Sequence, residues 1–198
     1  MNKIIKTSTL FLVFLLLAGT TQAAGHRWQI DPAHSGIYFG VKHIYSTTNG
    51  FFEDFEGTVH FDPKDLEKSN FDFTVKVKSI NTHNRKRDGH LRSDDFFSVG
   101  KYPDMTFKST RIVHKEGNRY VVEGRLAVKD VVKNVEIPFV FFGSRAHPFN
   151  PKETVAGFEA RFTIDRLAYH VGSGKFLKMG VVGRTVDIVV LMEVTRSN

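Results

Sequence analysis

Cysteine is absent from this chain of 198 residues. Its absence excludes disulfide bonds, thiolate metal sites and cysteine nucleophiles together. A chain without disulfides has to be stabilised by its hydrophobic core, and about 175 residues are long enough to bury one. We therefore expect one domain that is stabilised by packing alone.

Long hydrophobic runs are also missing. The apolar run over residues 10–18 is too short to span a bilayer. It follows Lys3 and Lys6 and precedes small residues, which is the pattern of a secretory signal peptide. Because no cysteine follows the run, the sequence offers no thiol for a lipoprotein anchor.

The signal peptide sets the expected limits of the mature protein. We predict that residues 1–23 are removed by cleavage after Ala23, with Ala24 as the second choice. Residues 24–198 then form a single domain, and we expect a periplasmic location.

Recognisable catalytic and metal-binding motifs are missing as well. The sequence has no G-x-S-x-G nucleophile elbow and no phosphate-binding glycine loop. Its nine histidines show no H-x-x-x-H pair on a helix and no His–Asp–Glu cluster of ligand type. We predict no metal site, no catalytic residues and no enzyme activity. His90 with Asp95 is the only acid–base pair that a catalytic hypothesis could use.

Charge is present in moderate excess of one sign. Lysine and arginine number 28 against 21 acidic residues, which gives a formal net charge of +7. That excess suits acidic lipid headgroups or a membrane surface as well as nucleic acid. The export signal argues against nucleic acid as a partner.

Alternation of apolar and polar residues runs through the chain after the signal peptide. It is clearest over residues 71–78, where every second residue is Phe or Val, and a two-residue period is typical of strands with one buried face. Asn49–Gly50 predicts a hairpin turn between strands over 35–44 and 51–62. About eight long strands joined by short turns predict an all-β fold, closed as an antiparallel barrel because closure removes exposed edges.

Residues 84–107 break this alternation, and we call them the insert. The insert predicts a short helix over residues 86–95, ending before Pro103. We expect this helix to lie near the mouth of the barrel. There Arg87, His90 and Arg92 would bind a phosphate or carboxylate headgroup. A solvated surface, or internal pairing with the aspartates of the insert, is the alternative.

The chain has 19 phenylalanines and one tryptophan, and many of the phenylalanines fall on inward-facing rows. A narrow barrel is either filled by side chains or holds one ligand, and composition leaves both readings open. The residues predicted to line an apolar channel are Phe39, Val41, Phe61, Phe73, Val75, Phe96, Phe97, Phe107, Phe139, Phe141, Phe162 and Ile188.

Several motifs resemble the YceI-like proteins, a family of secreted or periplasmic polyisoprenoid-binding proteins. They occupy residues 31–35 (DPAHS), 41–43 (VKH) and 52–57 (FEDFEG), and most specifically 87–97 (RDGHLRSDDFF), 101–103 (KYP) and 106–109 (TFKS). The resemblance covers nearly all of the mature chain. It implies a lipocalin-like barrel of eight antiparallel strands whose channel holds a long isoprenoid, such as a quinone or a polyprenyl lipid. It also implies a frequent homodimer, no established catalytic site, and in some relatives a link to membrane b-type cytochromes.

Two departures from the family pattern stand out. At Asp130, Val132 and Asn134 the family more often has Gly, Thr and Pro. After Arg166 the usual acid–aromatic–Gly is replaced by residues 168–170 (AYH). The second departure lies in a loop that borders the expected pocket, so the resemblance adds Tyr169 to the headgroup residues.

Together these observations favour a binding or carrier protein for a polyisoprenoid lipid or an isoprenoid quinone, with no other cofactor. A fatty acid or fatty amide is the alternative ligand. The alternatives of another class are a filled barrel that acts as an interaction module, and a lipid-modifying enzyme.

Overall fold

The computed structural model describes residues 27–198. The expected signal peptide and its cleavage site therefore lie outside the described residues. Across 27–198, no helix combines the length and the apolar character needed to cross a membrane.

Residues 27–198 form eleven strand segments, two short α-helices and three single-turn 3-10 helices (Leu66–Lys68, Val77–Ser79 and Arg166–Tyr169). The strands are β1 (Arg27–Ile30), β2 (Gly36–His43), β3 (Ser46–Phe52), β4 (Phe55–His60), β5 (Asn70–Lys76), β6 (Ile80–Asn81), β7 (Asp104–Glu116), β8 (Arg119–Val128), β9 (Val131–Ala146), β10 (Glu153–Asp165) and β11 (Val182–Ser197). The α-helices are α1 (Arg85–Arg92) and α2 (Lys175–Lys178).

All eleven segments join in one antiparallel sheet that closes on itself. Segments β1 and β2 pair one after the other with the same edge of β11, so they act as one interrupted strand. Segments β4 and β3 do the same for the next position, and β5 and β6 for the third. With β7 to β11 the barrel has eight strand positions in chain order. The predicted eight-stranded antiparallel barrel is confirmed.

The hairpin turn predicted at Asn49–Gly50 is wrong. These residues lie inside β3, and the chain turns earlier, at Ile44 and Tyr45, between the paired residues His43 and Ser46. The strand predicted over 51–62 is also divided, because β3 ends at Phe52 and β4 begins at Phe55.

A close contact across the sheet explains the glycine that misled the turn prediction. Gly50 is the cross-strand partner of Phe39, and a Cβ at Gly50 would lie 2.4 Å from Cζ of that ring. Gly57 and Phe73 form a second such pair, again with 2.4 Å between the added Cβ and the ring. Glycine inside a strand often marks a close approach of this kind. The two rings lie against the wall of the barrel instead of pointing at its axis.

The helical insert forms where it was expected, slightly shorter than predicted. α1 spans Arg85–Arg92, and the side chain of Asn84 caps its start by accepting a 3.0 Å hydrogen bond from the backbone N–H of Arg87. Ser93 has extended backbone angles, so the helix ends before the predicted limit at residue 95. Phe52, Val75 and Ile80 are buried together beneath α1, next to the half-buried Leu91.

Candidate lipid-binding chambers

One end of the barrel is closed by packed aromatic rings. Phe61 lies at the centre of this group, with five ring centroids between 5.0 and 5.9 Å from its own. Trp28 Nε1 donates a 3.1 Å hydrogen bond to the carbonyl of Phe61 and covers the same end. The rings around Phe61 belong to Phe71, Tyr120, Phe139, Phe141 and Phe158. We call this end the plugged end.

The middle of the barrel contains a cavity of about 170 Å³, which we call the central chamber. Its wall is almost entirely apolar because the inward rows of all eight strand positions carry Phe, Val, Ile, Leu or Met. Of the predicted channel residues, this wall holds Phe39, Phe73, Val75, Phe107, Phe139, Phe162 and Ile188.

A second cavity of about 110 Å³ lies between the central chamber and the insert, and we call it the cap chamber. Val41, Phe96 and Phe97 line it, as do Leu91 of α1 and Arg166. The two chambers share part of their walls. The shared residues are Phe39, Phe52, Met105, Val128, Ile164 and Ile188.

Phe61 and Phe141 are on the wall of neither chamber, which corrects their predicted position in the channel. Both belong to the aromatic group that fills the plugged end, where Phe61 is 2% exposed. The alternation of the strands gave their inward direction correctly, but it contains no information on height along the barrel axis. Sequence reasoning could not separate rings that fill the barrel from rings that surround a cavity.

Other lining residues were not singled out from the sequence. Most of them lie on the same inward rows and could have been found by extending the alternation. They include Ile37, Phe52, Val59, Phe71, Met105, Val122, Leu126, Ile137, Phe158, Ile164, Val190 and Met192.

The predicted headgroup arginines do not line either chamber. Arg87 donates from Nε to Thr82 Oγ1 at 2.8 Å and from Nη2 to the Thr82 carbonyl at 2.7 Å. Arg92 donates from Nε and Nη2 to the carbonyls of Lys78 and Ile80, both at 2.8 Å. These bonds attach α1 to the chain around β6. The internal partners are backbone carbonyls and a hydroxyl, not the aspartates considered from the sequence.

His90 and Tyr169 are also absent from the chamber walls. His90 Nε2 lies 2.9 Å from the Asp95 carboxylate, and its ring packs edge-on to Phe96 and Phe176 on the outer side of the insert. Tyr169 is 3% exposed and packs in the layer above the cap chamber, where burial raises the pKa of its hydroxyl.

Arg166 is the charged residue on the wall of the cap chamber, as Glu159 is on that of the central chamber, and the sequence did not assign either. It is 4% exposed and donates to the carbonyls of Gly183, Val171 and Val182 at 2.7, 2.8 and 3.3 Å. Burial lowers the pKa of its guanidinium group. The surface that lines the cap chamber is wholly apolar, so Arg166 contributes carbon atoms to the wall and its positive charge lies just behind it.

Segments from four parts of the chain close the barrel above the cap chamber, and we call this end the capped end. Lys129 Nζ, in the β8–β9 turn, donates to the carbonyls of Phe96 and His170 at 2.7 and 2.6 Å. The rings of Phe96 and Phe176 stack with centroids 5.6 Å apart, which joins the insert to α2. Besides the β8–β9 turn, the insert and the segment with α2, the fourth part is the β2–β3 hairpin.

A group with metal-ligand chemistry lies elsewhere, and it corrects the expectation that no His–Asp–Glu cluster forms. His34 Nδ1 lies 2.8 Å from the Asp31 carboxylate and 3.8 Å from that of Glu193. One ligand atom from each residue lies within 4.8 Å of the others, so the three could hold a metal ion. No sequence motif indicated this group, because Glu193 is 159 positions beyond His34. The hydrogen bond lowers the pKa of Asp31 and raises that of His34.

A closed antiparallel barrel around apolar chambers is the architecture of lipocalin-like proteins. The chain belongs to the YceI-like family, because a family model described as "YceI-like domain" matches residues 28–194. The family predicted from the motifs is thus confirmed.

Individual relatives agree with this assignment. Protein YceI of Escherichia coli O157:H7 is 33% identical over 192 residues, covering 95% of this chain and 97% of that protein. UPF0312 protein plu2095 of Photorhabdus laumondii is 38% identical over 147 residues, covering 74% of this chain and 75% of that protein.

Solved structures share the fold. BcnA of Burkholderia cenocepacia has a TM-score of 0.75 at 25% identity, over 85% of this chain and all of that one. A protein from Saccharophagus degradans, described as a polyisoprenoid binding domain implicated in plant cell wall breakdown, has a TM-score of 0.61 at 14% identity. It covers 87% of this chain and 99% of that one.

Proposed function

We propose that this protein is a periplasmic carrier that holds the chain of a polyisoprenoid lipid or an isoprenoid quinone inside the barrel. The observation that carries the proposal is the pair of adjoining apolar chambers, which share six wall residues. Family membership supports it. The S. degradans protein of the same fold is described as binding the ligand class that we propose here.

The size of the chambers sets how the ligand would fit. The central chamber, at about 170 Å³, resembles an engineered apolar cavity of about 150 Å³ that takes one benzene. A long chain therefore needs both chambers and has to displace side chains at the wall they share. Of the shared wall residues, Met105 needs the least energy to change its conformation, because its side chain is unbranched and flexible. Each buried methylene returns about 0.8 kcal/mol, which offsets the cost of that movement over several carbons.

The polar end of the ligand would lie under the insert. The plugged end is filled by aromatic rings, so a chain that enters the barrel has its free end at the capped end. Arg166 borders the cap chamber there with its carbon atoms, while its guanidinium group donates to backbone carbonyls behind the wall. A small rotation of the side chain would let the guanidinium group donate to a quinone carbonyl or a phosphate. In this proposal Arg166 replaces Arg87 and Arg92 as the headgroup residue.

The test is the lipid content of purified protein. We would purify the wild type and an Ala160→Phe variant from a host that makes quinones, extract both with organic solvent and identify the extracted lipids by mass spectrometry. Ala160 lines the central chamber, so the added ring should occupy the ligand space. An Ala33→Phe variant, at an exposed turn, is the matched control.

We expect an isoprenoid in the wild type and the control, and a much smaller amount in Ala160→Phe with its circular dichroism spectrum unchanged. Absence of lipid from the wild type, or equal lipid in all three proteins, would contradict the proposal. Recovery of a fatty acid or fatty amide from the wild type would instead support the alternative ligand.

The other classes of function find less support. A filled barrel used only as an interaction module would lack the two chambers. For a lipid-modifying enzyme, the His90–Asp95 pair lies outside both chambers, and the Ser93 hydroxyl beside it donates to the His90 carbonyl at 2.7 Å. We therefore propose a binding protein without catalytic activity, and turnover of bound lipid that His90→Ala abolishes would overturn this.

The expected homodimer and the link to a membrane cytochrome or another inner-membrane partner are part of the same proposal. A carrier has to collect and deliver its cargo, and a membrane protein that uses quinones would be a suitable recipient. Cell fractionation tests the periplasmic location, and sedimentation of the purified protein tests the dimer.

A further inference from the structure

The capped end exposes large apolar side chains. Ile44 and Tyr45, at the tip of the β2–β3 hairpin, are 57% and 101% exposed, and Met179, just after α2, is 61% exposed. The backbone N–H of Ile44 donates a 3.1 Å hydrogen bond to the carbonyl of Val181. The hairpin tip and the segment after α2 are therefore neighbours, and together they carry the exposed apolar side chains of this end.

Ile44 is in an unfavourable backbone conformation for its side chain. It is the first residue of a two-residue hairpin loop and has a φ of +52°. Glycine or asparagine is usual at such a position, and a β-branched residue there is an outlier. Since the side chain is exposed as well, the isoleucine contributes little to folding. Local strain of this kind often accompanies a function.

The charged side chains around these apolar residues are mainly basic. Lys175 and Lys178 of α2 are exposed beside Met179, and Lys42 is exposed next to the hairpin tip. Several acids of the same end already have a partner: Asp95 pairs with His90, Asp130 with His170 and Asp165 with Arg184. Further exposed cations of this end are Lys101 and Lys133.

We propose that the capped end docks onto an anionic phospholipid bilayer. Ile44, Tyr45 and Met179 would enter the headgroup region, where exposed apolar side chains flanked by lysines are favoured. The lysines would lie at the negative surface. Docking of this kind does not depend on cargo, so it goes beyond the carrier function.

The opposite end of the barrel also exposes apolar side chains and serves as the comparison. Phe142 and Phe149 are 64% and 92% exposed on that side, so exposed apolar area alone does not distinguish the ends. The loop over residues 62–69 near that end carries three acidic residues and two lysines, but Lys115, Arg119, Arg145 and Lys152 are exposed there as well. What distinguishes the capped end is the strained backbone of Ile44, the one apolar residue with a positive φ among residues 27–198.

Vesicle co-sedimentation tests the role of the charges. Vesicles of phosphatidylethanolamine with phosphatidylglycerol would be compared with vesicles of phosphatidylcholine, using the full mature chain. We expect binding to the anionic vesicles only, and a decrease when salt is added because the charges are screened. Lys175→Gln with Lys178→Gln should weaken binding about 30-fold. The control, Lys115→Gln with Lys152→Gln, removes the same charge from the opposite end and should bind as the wild type does.

A second pair of variants tests the apolar tips. In the variant Ile44→Gly with Tyr45→Ser, glycine adopts the positive φ without strain, so we expect an unchanged or higher melting temperature. Its binding to anionic vesicles should be several-fold weaker, because the apolar tips are gone. Phe149→Ser removes an exposed ring from the opposite end and should leave vesicle binding unchanged.

Three results would overturn the docking proposal: equal binding to neutral vesicles, equal loss in the capped-end and control variants, or dimer formation through this end with no vesicle binding. Lipid content measured on the same preparations tests the carrier function separately. Protein that is empty but still binds anionic vesicles would contradict the carrier function and support docking.

Discussion

A single buried cation, Arg166, organises the loops above the cap chamber. Its three backbone acceptors come from two segments, the turn at Val171 and the start of β11. Gly172 makes room for it, since a Cβ there would lie 2.5 Å from Nη1 of the arginine. Arg166 is therefore both a structural residue and the proposed headgroup residue.

Replacement of Arg166 should separate these two roles. Arg166→Met leaves three carbonyls without a donor, so we expect a loss of at least about 3 kcal/mol in the free energy of unfolding. Arg166→Lys keeps the charge with one donor atom and should lose less stability. Urea unfolding measures both, and a loss under about 1 kcal/mol in Arg166→Met would show that water replaces these bonds easily.

The pair of Asp31 and His34 predicts a pH dependence. The hydrogen bond from His34 lowers the pKa of Asp31, so its contribution is present above the ordinary pKa of about 3.9 and is lost as the pH falls. The same bond raises the pKa of His34, so its contribution is present below about pH 6.5 and is lost as the pH rises. The pair should therefore stabilise the fold most between roughly pH 4 and 6.5.

The measurement is urea unfolding of the wild type and a His34→Gln variant across this range. We expect the stability difference between them to be largest near the middle of the window and smaller on either side. A difference that is constant with pH would show that the imidazole acts without its charge.

The two departures from the family pattern meet in the structure. His170 Nδ1 lies 3.1 Å from the carboxylate of Asp130, and this contact lowers the pKa of the aspartate. His170 has a φ of +56°, a conformation in which the glycine more usual in the family carries no penalty. The two substitutions thus create one exposed contact between the β8–β9 turn and the loop after Arg166.

At the scale of elements, α1 is attached to the barrel by side-chain hydrogen bonds as well as by the packing of Leu91. Arg92→Ala removes two bonds to the carbonyls of Lys78 and Ile80, so we expect a loss of about 2 kcal/mol and faster hydrogen exchange in α1. Lys86→Ala, at an exposed position of the same helix, is the control and should change neither. Unchanged stability with weaker lipid retention in Arg92→Ala would instead restore its predicted place at the mouth.

Two glycines inside paired strands leave room for aromatic rings at the wall, so these rings stay out of the central chamber. In Gly50→Ala or Gly57→Ala the new methyl group would clash with the ring of Phe39 or Phe73 and with a backbone carbonyl, at Asn81 or Asp72. The ring would have to leave the wall toward the barrel axis and the sheet would have to shift, so we also expect a lower melting temperature. We expect a lower molar ratio of extracted lipid to protein in both variants. Gly89→Ala is the control, since no atom would lie within 4 Å of the new methyl group. It should leave the lipid ratio unchanged and stabilise α1 by up to about 1 kcal/mol.

For the whole molecule, alternation and the family motifs predicted the barrel and most of the wall of its chambers. They worked because one buried face per strand determines which residues point inward, as with Phe73 and Ile188. Position along the axis was not predictable, which is why Phe61 was placed in the channel and belongs to the plugged end. The acceptors of Arg87 and Arg92 were not predictable either, because three of the four are backbone carbonyls and the other is the hydroxyl of Thr82, none of which leaves a sequence signal.

The pairing of β1 and β2 with β11 joins the first described residues of the chain to the last. Ser35 Oγ and the backbone of Glu193 exchange hydrogen bonds of 3.0 Å in both directions along this seam. Contacts so distant in sequence form late and slowly during folding. The enclosed space exists only once this seam has formed, so a chain that stops before residue 182 would have an open sheet and no interior in which to store a lipid.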